Sequence, residues 1–599
     1  MAKKFKLIKD FRGFRQKRNE TKLPSGTLVK GSLNVLSTDG DRVAVRKGFT
    51  LDGVADTALT PIERSFEWDT HRGVQIPLRS FDNKLQFRTE VTGSVLWQTL
   101  EDGFTLVTFN FATFWDTTEK QDILLFVNND STIFDWSGGI TTFASATSNS
   151  ITKEGSTSWG EEGFLTAGTR QFELKGTTFT YTGGEGTTTL TGVTPDPTGV
   201  GAVAGDIVFQ TIRTTANSAI NGVPNIFGND LIEVLNNQIW LGSLTDREVF
   251  VSKVNSKTDF SFASPRAVGE GALLTLDGTP TGFVIQEDQM YISASTDQWY
   301  RAFFEFGTNI TEESLLIKRL KTTTQEAAKV QSAIAKIKNN IVFINNEPTF
   351  DTLGRLENIA TPQSTALSDP IKELFDDLDF TNVHVKFFRN NIYIAVPNES
   401  RVLIFNLEKG FWESPQVLSI SRLAVIGGSL FGHSSSTPET FKLFDGRTDN
   451  GSDITATANF SFQNFGRRAN KKRFDEWYTE GFISTNTKLT MKLRYEFQGS
   501  EQILEFEIDG SDSKIIFASQ TDASLGKNAL GKEPLGTTGD ALTGEEVPPK
   551  FRVIHTMIPS DVFEVQAEYK SDQSDTNWEL LTFGANAVIS KSDSNEIKK

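Results

Sequence analysis

Four short phrases recur in this chain at one spacing. "NNQIWLG", "EDQMYIS", "KNNIVFI" and "NNIYIAV" place their first apolar residue at Ile239, Met290, Ile341 and Ile392, each 51 residues after the one before. A fixed period of this size, long enough for several strands, is the mark of solenoids, arrays and propeller blades. In "NNIYIAVP", Ile392, Ile394 and Val396 face one way while Asn391, Tyr393 and Ala395 face the other. Both faces are largely apolar, so the strand is expected to be buried on both sides, as where sheets stack.

Three weaker copies extend the series: "DNKLQFR" marked at Leu85, "KQDILLFVNN" at Ile123 and "GGSLFGH" at Leu430. A second strand tends to follow, as in "STIFDWSGG", "REVFVSKV", "DQWYRAFF" and "RVLIFNLEKGFWES", with an aromatic residue shortly before a turn. Seven marks predict six or seven blades between about residue 50 and residue 450. The 116-residue gap from Ile123 to Ile239 is too long for one blade. The excess is Thr/Gly/Ser-rich, yet "QFELKG" and "TFTYTGG" alternate as strands, so residues 137–220 read as a small β-domain inserted in a blade.

After Gly451 the rhythm changes to long alternating strands such as "KLTMKLRYEFQGSEQILEFEID", which fit a β-sandwich. The predicted fold class is therefore all-β: a β-propeller with an inserted small β-domain and a C-terminal β-sandwich-like domain. The boundaries are a basic arm at 1–30, first blades at 31–136, the insert at 137–220, remaining blades at 221–451, and the C-terminal domain at 452–599 with a Gly-rich loop at 523–549. Helix is expected only over Thr324–Ile337 and Asp369–Asp379.

Composition removes several chemistries. There is no cysteine, so disulfides, thiolate metal sites and cysteine nucleophiles are excluded. The four histidines, His71, His384, His433 and His555, are too far apart for a local metal motif. Asp445, Asp449 and Asp453 in "DGRTDNGSD" lack the alternate spacing and closing Glu of a calcium loop, and read as a turn. "GVGAVAG" at 199–205 has no following Lys-Ser/Thr for a phosphate cradle. The pairs Glu101–Asp102 and Asp376–Asp377 read as solvated acidic turns; no nucleophile elbow or Ser-His-Asp order is legible. The chain is expected not to be an enzyme and to need no cofactor. A glycosidase-type propeller would place two carboxylates at its funnel, a pattern that spacing alone does not address. No apolar stretch is long enough for a membrane span, and no apolar signal segment opens the chain, so assembly in the cytoplasm without membrane insertion is expected.

Charge is uneven. Residues 1–30 carry ten Lys/Arg against two Asp/Glu, while the whole chain is −16. Lys3, Lys4, Lys6, Arg12, Arg15, Lys17 and Arg18 make a basic segment suited to an acidic partner surface, a nucleic acid or an anionic membrane. A second basic cluster, Arg467, Arg468, Lys471, Lys472 and Arg473, is interleaved with aromatics including Trp477. The acidity of the rest of the chain favours a protein interface there, with Trp477 as an anchor, over nucleic acid.

The basic opening, "LPSGTLVKGSLNVLSTDGDRVAVRKGFTLDG", and strands of the kind "NNIYIAV…RVLIFNLEKGFWES…KLFDGRTDNG" together resemble the tail nozzle or tail tubular proteins of tailed, podovirus-like bacteriophages. The resemblance covers residues 23–53 and 220–480, and "TFTYTGGEGTTTLTGVTP" resembles small β-inserts of phage structural proteins. It implies a hexameric ring in the virion tail, below adaptor and portal proteins and beside tail fibres or baseplate proteins. Through that ring packaged DNA is held and later leaves without sequence-specific binding. It also implies that deleting residues 2–20 weakens attachment and leaves the subunit folded. The alternatives from the same residues are a baseplate or tail-tip component of a long-tailed phage, or a carbohydrate-binding or carbohydrate-degrading propeller.

Overall fold

The computed structural model describes residues 2–16, 23–38, 42–54, 60–91, 93–105, 108–168, 170–262, 266–306, 313–320, 327–338, 340–353, 366–463, 472–485, 487–497, 500–511, 516–517, 550–556, 564–571 and 577–589. The described residues are nearly all β and form a seven-bladed propeller, an inserted β-domain and a two-sheet sandwich.

Each blade is an antiparallel meander. Blade 1 is Arg64–Asp69, Gln75–Phe81, Lys84–Val91 and Ser94–Glu101. Blade 2 begins with Asn110–Asp116, Gln121–Val127 and Thr132–Trp136 and ends with Arg213–Ala216, after the insert. Blades 3 and 4 open with Leu231–Leu235 and Pro280–Gln286 and have four strands each. Blade 5 opens with Ile334–Ile337 and shows three strands among the described residues. Blade 6 opens with His384–Phe388, and blade 7 with Ile420–Ile426. The opening strands of successive blades pack side by side, and Ile420–Ile426 packs back on Arg64–Asp69, so the ring is closed.

The repeated phrase is a hairpin and its second strand. The residues three and two positions before the mark adopt positive φ, Asn236–Asn237, Glu287–Asp288 and Arg389–Asn390 among them, as a tight primed turn requires. In blade 7 Gly427 and Gly428 do the same. The seven marks fall one per blade and are all buried. Six lie on a second strand, whereas Leu85 lies on the third strand of blade 1. Ile76 and Leu78 are the second-strand equivalents there, masked in the sequence by the Pro77 between them.

Closure uses a distant segment. The fourth strand of blade 7 is Phe49–Leu51, paired through Phe49↔Leu443 and Leu51↔Phe441. A strand from one end of the ring sequence completes a sheet from the other, which leaves no unpaired seam. The segment before it belongs to the sandwich. Ala2–Ile8 pairs with Trp578–Ile589, and Val35–Thr38 and Arg42–Val45 extend the same sheet. The other sandwich sheet is Ala456–Asn459, Val565–Ser571, Lys488–Phe497 and Ser500–Asp509.

This corrects the expected domain boundaries. The described residues of 2–45, namely 2–16, 23–38 and 42–45, are not a free arm followed by blades. They are sandwich strands and a connecting wedge, with Ile8, Phe11 and Phe14 buried at 4%, 3% and 2% exposure. The Phe11 ring lies tilted against Phe460 and Phe583, and the Phe14 amide donates to the Trp412 carbonyl at 2.6 Å. One apolar core therefore runs without a break from the sandwich through this wedge into blades 5 and 6. Deleting residues 2–20 removes core rather than an appendage.

The insert spans Ile140–Thr147 to Ile207–Gln210 and has its own core around Trp159, Phe172 and Phe179. Glu119 of blade 2 anchors it by accepting from the Thr166 and Ala167 amides at 2.8 and 3.3 Å. Trp136 Nε1 donates to the Gln210 carbonyl at its base. Of the two expected helices, the second forms in part, as a 3-10 turn Asp369–Ile371 and a short helix Lys372–Asp376. The first does not. Gln331–Ala333 is a single 3-10 turn and Ile334–Ile337 is the opening strand of blade 5, with 324–326 outside the described residues. The ring needs a strand there, and tertiary pairing overrides the helix propensity of Ala, Gln and Lys.

Candidate functional site: a charged cavity on the propeller axis

Six of the seven blades meet at a cavity of about 380 Å³. Its walls are the opening strands and the residues beside them. Arg64, Phe66 and Glu67 come from blade 1, Phe111 from blade 2, Glu233 from blade 3, Lys336 from blade 5, His384 and Lys386 from blade 6, and Arg422 from blade 7. The two faces of a blade pack on the blades beside it, and its opening strand is the edge nearest the axis, where the diverging sheets leave room for polar side chains. Such a cavity is far too small to pass a nucleic-acid duplex.

Glu67 is the paired carboxylate. Its Oε2 accepts from Lys386 Nζ at 2.6 Å and its Oε1 from the Val425 amide at 2.9 Å. Glu233 has weaker support: it accepts from the Val234 amide at 3.1 Å. Desolvation pushes its carboxyl up to about 7, offset only in part by that amide and by Lys336. Burial also lowers His384 well below its ordinary value, helped by Arg422, Lys386 and Arg64 nearby. Its Nδ1 accepts from the Leu423 amide at 3.1 Å, which puts the ring proton on Nε2. Arg422 is pushed down to about 9, first by burial and then by Arg64. Its Nε donates to the Glu63 carbonyl at 2.7 Å, and its Nη1 to the Asn382 and Ser421 carbonyls at 2.8 and 3.0 Å.

The raised Glu233 carboxyl has a measurable consequence. A carboxyl whose folded pKa lies above its unfolded value binds more protons when folded, so stability falls as pH rises from about 4.5 toward 7 and then levels. Glu233→Gln should remove that loss, making the variant more stable than wild type by about 1–2 kcal/mol at pH 8 and no more stable at pH 4.5. Denaturant midpoints at the two pH values check this; equal differences at both would show that Glu233 is not the titrating group.

The residues singled out from the sequence do not gather at this cavity. Lys3, Lys4 and Lys6 lie on the strand Ala2–Ile8. Arg12 is exposed and Arg15 half-buried beside the wedge. Lys17, Arg18, Arg467, Arg468 and Lys471 lie outside the described residues, as does the 523–549 loop. Lys472 is buried and Arg473 is exposed, paired with Asp475 at 2.8 Å. Trp477 is a correction. It is fully buried in the sandwich, stacks on Phe583 and donates from Nε1 to Tyr569 Oη at 3.1 Å, so it anchors the core and not a partner.

The acidic candidates resolve into turns and braces. Asp449 chelates the Arg46 guanidinium through both oxygens at 2.7 and 2.6 Å, and Asp445 pairs with Lys442 at 3.5 Å, so the 445–453 turn serves structure. Asp376 pairs with Lys372 one helical turn earlier. Glu101 is raised by burial and by Asp102 beside it, at the end of an outer strand. In 199–205 a 3-10 turn, Pro197–Val200, is followed by Gly201 and Gly205 at positive φ, with no helix to follow. Among the described residues no group of three or more metal-ligating side chains gathers. No described helix is long and apolar enough to cross a membrane.

The cavity was missed by sequence reading because its residues are spread over more than 350 positions, in short groups from six different blades. A usable signal existed: charges set inside the otherwise apolar opening strands of five blades, as in "ERSFEW", "LIEVL", "IAKI", "HVKFF" and "ISRLAV".

No protein-family model matches the chain, and no curated protein matches it by sequence. Solved structures that are similar to it are propeller-containing chains at very low identity. Saccharomyces cerevisiae Sqt1 aligns at 10% identity and a TM-score of 0.33, over 69% of this chain and 99% of that one. BBS1N, from a complex with ARL6DN, aligns at 11% identity and a TM-score of 0.32, over 67% and 97%. A chain of a nidogen/laminin complex aligns at 9% identity and a TM-score of 0.26, over 56% and 90%. The propeller assignment rests on the strand order and ring closure described above.

Proposed function

We propose that this protein is a structural subunit of a bacteriophage tail. Copies of it assemble into a ring-shaped nozzle or tube that holds packaged DNA and later lets it out. The observation that carries the reading is the unbroken core joining sandwich, wedge and blades 5 and 6, because a wall subunit under load works best without a hinge between its parts. The excess of acidic over basic residues supports a surface along which DNA slides without adhering. The sandwich also exposes Ile503 and Ile554, at 52% and 58%, as apolar contact points for a neighbour. In this reading the DNA channel lies between chains and is separate from the axial cavity of each propeller.

Electron microscopy of the purified full chain, alone and mixed with tail platform proteins, tests it. A closed ring with a hole wide enough for duplex DNA is the expected result. A chain that stays monomeric in both preparations overturns it. One observation favours a second reading as a carbohydrate-degrading propeller. The paired Glu67 and the neutral-leaning Glu233 share one cavity, the division between ionised and protonated carboxyl that glycoside hydrolysis uses. Hydrolysis of a glycan panel, lost in Glu233→Gln, would carry that reading.

A further inference from the structure

We propose that the axial cavity is a binding site for a small multivalent oxyanion, of the phosphate or polycarboxylate class, held by Arg64 and Arg422 with His384 as a neutral donor. The first argument is charge balance. Of the cationic groups lining the cavity, Lys386 is neutralised by Glu67. Arg64 and Arg422 have no carboxylate in hydrogen-bond contact among the described residues; both donate to the same backbone oxygen, the Glu63 carbonyl. The Glu63 carboxylate offsets the two guanidinium groups only from a distance, so an anion in direct contact with both would relieve the remaining cost of holding two like charges side by side.

The second argument is donor supply. A guanidinium has five N–H groups in a planar fork that matches an oxyanion. Arg64 uses one nitrogen, Nη1, on a carbonyl at 3.0 Å. Arg422 uses Nε and Nη1, which fixes the plane of its fork and leaves Nη2 without a protein acceptor among the described residues. Charge-assisted pairs of this kind are about twice as strong as neutral ones. His384 adds an N–H without adding charge, because its Nδ1 is committed to Leu423. Lys336 is solvent-exposed at the wall and adds attraction from the rim. The volume of about 380 Å³ admits phosphate with water, or citrate.

The test is thermal unfolding of the full chain in sodium chloride, sodium phosphate or sodium citrate at equal ionic strength. At saturating phosphate or citrate the wild-type midpoint should rise by about 2–4 °C over chloride. Arg64→Gln should abolish that rise, while its midpoint in chloride equals or exceeds wild type because one of two like charges is gone. Arg247→Gln, a change at an exposed arginine on blade 3, should keep the rise. Whichever anion gives the larger rise names the class. No rise in wild type, or an equal rise in Arg64→Gln, overturns the proposal, the latter as an adventitious surface effect. Equilibrium dialysis of wild type with labelled phosphate and citrate gives an independent reading. About one bound anion per chain is expected, and none for either overturns the site.

Discussion

Deleting residues 2–16 is expected to abolish cooperative folding of the sandwich. The deletion removes the strand Ala2–Ile8 and with it seven paired positions along Trp578–Ile589. It also removes Ile8, Phe11 and Phe14, whose side chains lie in the core shared with blade 6. Losing a buried Ile or Phe side chain costs about 2–5 kcal/mol each, so the sum is on the order of 8 kcal/mol or more. That is comparable with the entire stability of an ordinary domain. The deleted protein should be insoluble, or should show rapid proteolysis within 472–589. A soluble deletion with an unchanged unfolding profile would refute the wedge. Neutralising Lys3, Lys4 and Lys6 to Gln keeps the backbone ladder and separates any docking role of the charges from this structural one.

Asp449→Ala should be the most damaging single substitution outside the apolar core. Arg46 sits between the sandwich strand Arg42–Val45 and the closing strand Phe49–Leu51, and its side chain is 1% exposed against 18% for Asp449. Every donor of its guanidinium is used: Asp449 takes two, Asn34 Oδ1 one, and the Lys47 and Val417 carbonyls one each. Removing the carboxylate leaves a buried charge, which costs about 3–5 kcal/mol. Replacing both partners, Arg46→Met with Asp449→Ala, should recover most of that loss, since no charge is then left buried. Urea midpoints for the three variants decide it; a single-variant loss under about 1 kcal/mol would mean the pair is solvated in solution.

The propeller was legible because each blade must bury a strand on both faces and turn tightly before it, and both demands leave local marks. The insert was legible because it broke the period at a place where a blade tolerates growth. Three features left no such trace. The strand "FTL" at Phe49–Leu51 is too short to carry alternation, and its partner is Thr440–Leu443. The pairing of Ala2–Ile8 with Trp578–Ile589 joins segments that share nothing in sequence but their fit. Trp477 looked like an interface anchor because basic residues surround it in sequence and plain alternation would put it on the face of Arg473, but a β-bulge between Phe474 and Glu476 shifts the alternation by one and turns Trp477 inward. Arg473 is exposed while Phe474 and Trp477 are buried.

The closing strand also sets a condition on synthesis. Phe49 leaves the ribosome early and waits for Leu443, a delay of about 20–80 s at ordinary elongation rates. Until then blade 7 lacks its outer strand, and Arg42–Val45 waits longer still for Trp578–Ile589. A prematurely terminated chain thus keeps an open blade and bare sheet edges, the features that chaperones and proteases act on. Only a chain read through to Trp578–Ile589 can hide them, so the topology itself marks truncated products for removal.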